Sequence, residues 1–191
     1  MVVAVIDSGV NKMDGMLQEQ DIEDIYYEDQ EFKTCYVGKL NPHGTEIIKV
    51  LLKEAPDFAR GFIGIAYRIH EDDTKFESFY VRPTNGRQCD DPVRKQHGCQ
   101  YFSYPTYTFA YFREHGITKY ENQVDIDINE WISLKAVIED EKAIFYLNDD
   151  LQPLLVVNQM IHDKSMRGNI GFFVDIGTEA FFKDLKITYF D

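Results

Sequence analysis

The residues best placed by type and spacing to do chemistry stand near the start of the chain. Asp7-Ser8-Gly9 closes a short apolar run, Val2–Ile6, and His43-Gly44-Thr45 follows about 36 residues later. A carboxylate that holds an imidazole in one orientation makes it a general base, and that base needs a hydroxyl to deprotonate. The chain offers Ser8, Ser78, Ser103, Ser133 and Ser165, none of them in a Gly-Thr-Ser or Gly-x-Ser-x-Gly turn. The nearest approach, Gly177-Thr178-Glu179-Ala180, has Glu where the nucleophile belongs. Without a nucleophile, turnover falls by a factor on the order of 10⁶. Asp7 and His43 are candidate catalytic residues that lack their third partner.

A second group lies between residues 82 and 111. Arg82, Asn85, Arg87, Asp90, Asp91, Arg94 and His97 are followed by Tyr101, Tyr104, Tyr107 and Tyr111. Sugars are held by aromatic faces with bidentate hydrogen-bonding side chains beside them, and this stretch supplies both. Arg82, Asn85, Arg87, Tyr101 and Tyr104 are the expected ligand contacts. The competing reading packs the tyrosines beneath a long loop and leaves Arg and Asp as surface pairs of small net value. Calcium could use Asp90, Asp91 and loop carbonyls, but no EF-type spacing is present, so no cofactor is expected. In Asp125-Ile126-Asp127, alternation puts both carboxylates on one strand face. Retaining glycoside hydrolysis needs two carboxyls about 5–5.5 Å apart. Because the segment runs straight into a turn before Trp131, a solvated acidic edge is the expectation. Trp131 itself is expected in the core.

The elements that must position these groups change character along the chain. Val2–Ile6 is a β-branched run of the kind buried on both faces in a parallel sheet, with Asp7 at its carboxyl end, where α/β proteins place functional groups. In Glu46–Glu54, Ile47, Ile48, Val50, Leu51 and Leu52 form a broad apolar face between Thr45 and Pro56, so local pattern favours a helix. The alternative is the first strand of the β region that follows. From Gly61 the period becomes 2: Phe62–Ile69 and Phe76–Val81 read as a hairpin across Glu71–Thr74. Residues 83–119 read as an elaborated loop with short strands. Trp131–Glu139, Ala143–Leu147, Leu154–Val157, Asn169–Val174 and Ala180–Thr188 follow as β-type runs, with Asn148-Asp149-Asp150 and Ser165–Gly168 as turns. Seven or so strands without a convincing helix predict a β-sandwich.

Bulk properties narrow the classes. The 191 residues suit one domain with an appendage, and 44% hydrophobic with 14% aromatic content is ample for a core. The formal net charge is −13. Residues 1–59 carry 12 acids and 5 bases, whereas residues 60–191 carry 21 and 15, so the start is the more acidic part. No basic stripe runs along the sequence, and nucleic acid is not an expected partner. No run reaches the roughly 20 apolar residues of a membrane span. The start lacks the basic flank and length of an export signal, which leads to the expectation of a cytoplasmic protein, reversed if the natural start lies upstream. Cys35, Cys89 and Cys99 form no metal-type pair; Cys89 and Cys99 are the one pair that could close a loop.

Two resemblances follow from these motifs. The Asp7-Ser8-Gly9 and His43-Gly44-Thr45 words resemble the Asp and His motifs of subtilisin-like serine proteases, in that family's order, over residues 1–58. The remainder, 59–191, resembles the concanavalin A-like lectin and glucanase superfamily, more narrowly its laminin-G-like and 3-keto-disaccharide-hydrolase-type domains. That resemblance rests on Tyr80, Arg82 and Pro83 ending a hairpin, Trp131 and Asn148 framing a strand-turn-strand, and the Gly168–Ile187 run. Asp125–Glu130 is superficially similar to the acidic strand of laminarinase-type glycosidases, with Asp where that pattern begins with Glu. Together they imply a mainly β, concanavalin A-like jelly-roll sandwich with a short α/β-type N-terminal segment. The implied function is non-catalytic recognition of a glycan or, next, a protein surface. An incomplete serine peptidase and a jelly-roll glycosidase are the alternatives.

Overall fold

A computed structural model describes residues 44–57, 60–70, 72, 74–162 and 168–189. Asp7 and His43, and with them the protease-like reading, lie outside the described residues, as does Cys35.

Among the described residues ten strands form two antiparallel sheets. The first has the order β10-β1-β6-β7-β8, with β1 Gly44–Glu54, β6 Ile132–Glu139, β7 Lys142–Leu147, β8 Leu155–Val157 and β10 Glu179–Tyr189. The second has the order β5-β4-β3-β2-β9, with β2 Ile63–Ile69, β3 Phe76–Val81, β4 Cys99–Tyr104, β5 Glu121–Asn122 and β9 Asn169–Val174. Two short helices, α1 Pro92–Lys95 and α2 Phe109–Glu114, sit on either side of β4 in the chain. The fold is a jelly-roll-like sandwich, mainly β as expected. Among the described residues no helix is long and apolar enough to cross a membrane.

Alternation explains the first sheet. Ile132, Leu134, Ala136 and Ile138 of β6, and Ala143, Phe145 and Leu147 of β7, point into the interior while their neighbours are partly exposed. The two-residue turn between these strands puts Asp140 at φ 48, and Asn148 after β7 has φ 53. Asn148 Oδ1 accepts from Ser133 N at 3.0 Å and Asn148 N donates to Ser133 O at 2.7 Å, which ties the end of the hairpin to its start. Short polar side chains tolerate the left-handed region and satisfy backbone locally, so these turns follow from their residues.

β1 corrects the helical expectation for Glu46–Glu54. It is an extended strand between β10 and β6, with Ile48, Val50 and Leu52 fully buried and Ile47 and Leu51 half-buried on the other face. Paired with β10 along most of its length and with β6 from Gly44 to Val50, the strand gains ladder hydrogen bonds on both edges and buries Ile48, Val50 and Leu52 on its inner face, which outweighs its local helical pattern. Gly44–Glu54 is therefore part of the sandwich.

The core lies where the sheets face each other. Phe79 of β3 stacks on Phe145 of β7 with centroids 4.1 Å apart, and Phe172 of β9 stacks on Phe182 of β10 at 4.6 Å. Each such ring contributes about 1.5–3 kcal/mol on burial. Trp131 is not part of this core. It is 42% exposed, with the Lys183 ammonium 3.9 Å from its ring centroid. It precedes β6 and lies outside the alternation that begins at Ile132, so nothing turns it inward.

Candidate functional site

The second sheet departs from the ordinary pattern of a sandwich, in which the outer face is polar. β2 and β3 are buried along their whole length on both faces. The outer face carries Phe62, Phe76, Tyr80, Phe102, Tyr104 and Phe173. Their rings stack in sequence: Phe62 on Tyr80 (4.6 Å), Tyr80 beside Phe173 (5.8 Å), Phe173 edge-on to Phe102 (5.2 Å), Phe102 edge-on to Phe76 (5.9 Å) and Phe76 on Tyr104 (4.9 Å). The sequence makes room for them. Gly64 stands directly between Tyr80 and Phe173 in the register, and Ala66 and Ser78 stand between Gly171 and Phe102. A Cβ on Gly64 would lie 2.6 Å from the Tyr80 Cα. Small residues at the centre of the face let large rings from both sides lie across it.

A polar row closes one end of this face. Tyr80, Gln100 and Glu121 are successive cross-strand partners on β3, β4 and β5. The Tyr80 hydroxyl donates to Gln100 Oε1 at 2.7 Å, Gln100 Nε2 donates to Glu121 Oε2 at 3.4 Å, and His97 Nδ1 lies 2.7 Å from the same Glu121 oxygen. Burial pushes the Tyr80 phenol above its ordinary value, so it stays a donor. Arg82, just past β3, bonds Gly98 O through its backbone N (2.7 Å) and lays its guanidinium 4.5 Å from the Phe62 centroid. Burial pulls the Arg82 pKa down; Tyr80 opposes that, and the nearby charges of Arg113 and Arg94 add to it. Phe109 of α2 meets Phe62 edge-on at 5.4 Å and is 38% exposed, which makes it the open aromatic surface beside the row.

The expected contacts fall into different places. Arg82 lies in the row. Asn85 is a buried support beside it: its Nδ2 donates to His97 O at 3.1 Å and its Oδ1 accepts from Arg94 Nε and Nη2. Arg87 turns away, to Glu130 at 2.7 Å and Asp125 at 3.5 Å. Tyr104 is on the outer face but four residues along β4 from Gln100, about 13 Å at the rise of a strand. Tyr101 is a core residue, contrary to expectation. It is fully buried, its hydroxyl donates to Glu77 Oε2 and accepts from Ile161 N at 2.8 Å, and alternation turns it inward beside Phe79. Gln100, Glu121 and Phe109 were missed. The alternating Cys99–Tyr104 run was the available signal for the first of these.

The other carboxylates are structural. Residues 123–127 are loop rather than strand, so Asp125 and Asp127 do not share a strand face. Asp127 accepts from Ile128 N while its own N–H donates to Glu130 Oε1, so both side chains serve the backbone of the turn. Asp91 caps α1 by accepting from Val93 N (2.8 Å) and Arg94 N (3.2 Å), and Asp90 is exposed. Among the described residues no group of three or more His, Cys, Asp or Glu is placed to hold a metal. Cys89 and Cys99 are buried free thiols.

The sequence matches no known protein family and no curated protein. Solved structures do match. The carbohydrate-binding module CBM66 from Bacillus subtilis superposes with a TM-score of 0.55 at 16% identity, over 76% of this chain and 74% of that one. The GH43 protein BlXynB from Bacillus licheniformis gives 0.52 at 11% identity, over 83% of this chain but 30% of its own length. A Caenorhabditis elegans galectin, LEC-6, gives 0.47 at 9% identity, over 77% and 83%. At these identities the first two establish a shared sandwich fold.

Proposed function

We propose that this sandwich is a non-catalytic carbohydrate-recognition module whose ligand contacts the Arg82–Gln100–Glu121–His97 end of the outer aromatic face. The observation that carries the reading is that row. Cross-strand register aligns the Gln100 amide with the Glu121 carboxylate, the His97 imidazole reaches the same carboxylate, and the Arg82 guanidinium lies over Phe62, whose edge meets the half-open ring of Phe109. Sugars need this pairing of planar hydrogen-bonding groups with an apolar plate. The likeness in fold to a carbohydrate-binding module supports it. The position of Tyr80, Arg82 and Pro83 at the end of β3 supports a place near the laminin-G-like and 3-keto-disaccharide-hydrolase-type domains. Glycoside hydrolysis draws no support from Asp125 and Asp127, which are engaged in loop contacts.

A glycan array tests this. The chain is expected to give a restricted set of hits that weaken by about tenfold or more in Glu121→Gln, which loses hydrogen bonds to a charged group, and in Phe109→Ala, which loses the apolar contact of a ring. Circular dichroism must show both variants folded. An array blank at high protein concentration, or hits unchanged in both variants, would remove the assignment.

A further inference from the structure

The outer face of the first sheet has a character that the acidic chain as a whole does not. Lys49 of β1 and Lys183 of β10 are direct cross-strand partners. In the next row Lys186 of β10 and Lys135 of β6 flank Ile47. With adjacent strands about 5 Å apart, four lysines from three strands share a patch of roughly 10 Å by 7 Å. Like charges placed directly opposite destabilise a sheet pair. Lysine on an edge strand is a familiar guard against edge pairing, which accounts for Lys183 and Lys186 on β10. It does not account for Lys49 and Lys135, whose strands are interior.

Aromatic plates accompany the lysines. The Lys183 ammonium lies 3.9 Å from the centroid of half-exposed Trp131, and that of Lys135 lies 4.9 Å from the centroid of Tyr146. The face already accommodates carboxylates: Asp184, in the bulge between the two rows, holds Lys49 at 3.3 Å, and Glu179 holds Lys53 at 2.9 Å. An occupant complementary to this surface carries repeated carboxylates and flat apolar ring faces.

We infer that the outer face of β10-β1-β6 is a second binding surface, for a uronate-bearing acidic polysaccharide, centred on Lys49, Lys135, Lys183 and Lys186 with Trp131 and Tyr146 as plates. It lies on the opposite sheet from the Arg82 row and does not depend on it.

Trp131 is the single tryptophan of the chain, so its emission reports on this face directly. Titration of the full chain with polygalacturonate at low ionic strength is expected to give a saturable change in that emission, reversed by salt. Lys49→Gln/Lys135→Gln is expected to weaken binding by about tenfold or more, at roughly fivefold per surface lysine facing an anionic partner. Lys75→Gln, on the turn before β3, should leave it unchanged. The assignment is overturned by any of three results: no emission change and no binding, equal binding to the neutral polymer dextran, or a folded double variant that binds as wild type. Tighter binding of DNA or dextran sulfate than of polygalacturonate would overturn the choice of occupant.

Discussion

Tyr101→Phe separates a core role from a ligand-binding role at one residue. In the wild type the buried Glu77 carboxylate accepts from the Tyr101 hydroxyl and, through Oε1, from His162 N at 2.9 Å, while Ile161 N donates to the phenol oxygen. Removing one oxygen takes a donor from a buried carboxylate and an acceptor from a backbone amide. A hydrogen bond to a charged group contributes about 1.5–3 kcal/mol, and a stranded amide adds on the order of 1. A loss of about 3 kcal/mol is expected near pH 8.

The pH dependence follows from Glu77. Burial pushes its pKa up, against the pull of the Tyr101 and His162 hydrogen bonds. A carboxyl whose folded pKa is raised contributes stability that is present below its ordinary value, about 4.3, and lost as pH rises through the folded one. The variant raises that folded pKa further, so it loses more over the upper part of the range. Its deficit should therefore be larger at pH 8 than at pH 5. Urea unfolding followed by far-UV circular dichroism at the two pH values measures this, with the denaturant slope held constant. A deficit below about 1 kcal/mol at both pH values, accompanied by lost glycan binding, would refute the core assignment and return Tyr101 to the ligand.

Two further perturbations probe the scaffold of the site. A Cβ on Gly86 would lie 2.0 Å from Ile126 O, the acceptor of the Arg87 N–H; Gly86→Ala should cost about 2 kcal/mol and loosen the 83–98 segment, read by thermal melting and faster amide exchange at Arg87. A variant as stable as wild type would show that this approach is not needed. Burial pushes the Cys99 thiol up to about 12; iodoacetamide at pH 8 should leave it unmodified in the native protein and modify it in urea, by peptide mass. Rapid native modification would contradict the closed β3–β4–β5 layer.

Where period and local chemistry agree, the sequence announces the fold: β6 and β7 alternate cleanly, Asn148 and Asp140 make the turns their side chains favour, and the β2–β3 hairpin follows from Phe62–Val81. Local pattern misleads where both faces of a strand are apolar. β1 adds half-buried Ile47 and Leu51 on its outer face to Ile48, Val50 and Leu52 on its inner one, and such a run hides its period of 2. Cys99–Tyr104 alternates, yet among so many turn residues it stands out only as one of the unplaced short strands of an elaborated loop. The Arg82 row was half legible: Arg82 stood out by type, whereas Glu121 joins it through β4–β5 pairing across 21 residues. The lysine patch was not legible at all. Its four residues come from strands scattered between positions 49 and 186, so no basic stripe appears in the linear chain.

The placement of β1 has a consequence for how this molecule reaches its native state. Its ladder with β10 joins Gly44 to Tyr189, almost the full span of the described chain. That sheet cannot close until Glu179–Tyr189 has been synthesised, and the entropy of so long a closure comes before the β1–β10 pairing rewards it. The β2–β3–β4 meander is local and free to form first, and β6 can pair β1 before β10 exists, which leaves β1 with its β10-side edge unpaired. A shortened C-terminus would make that condition permanent, exposing an apolar strand to any neighbouring chain. Truncated chains that stop before residue 179 are the ones expected to aggregate rather than simply to lose affinity.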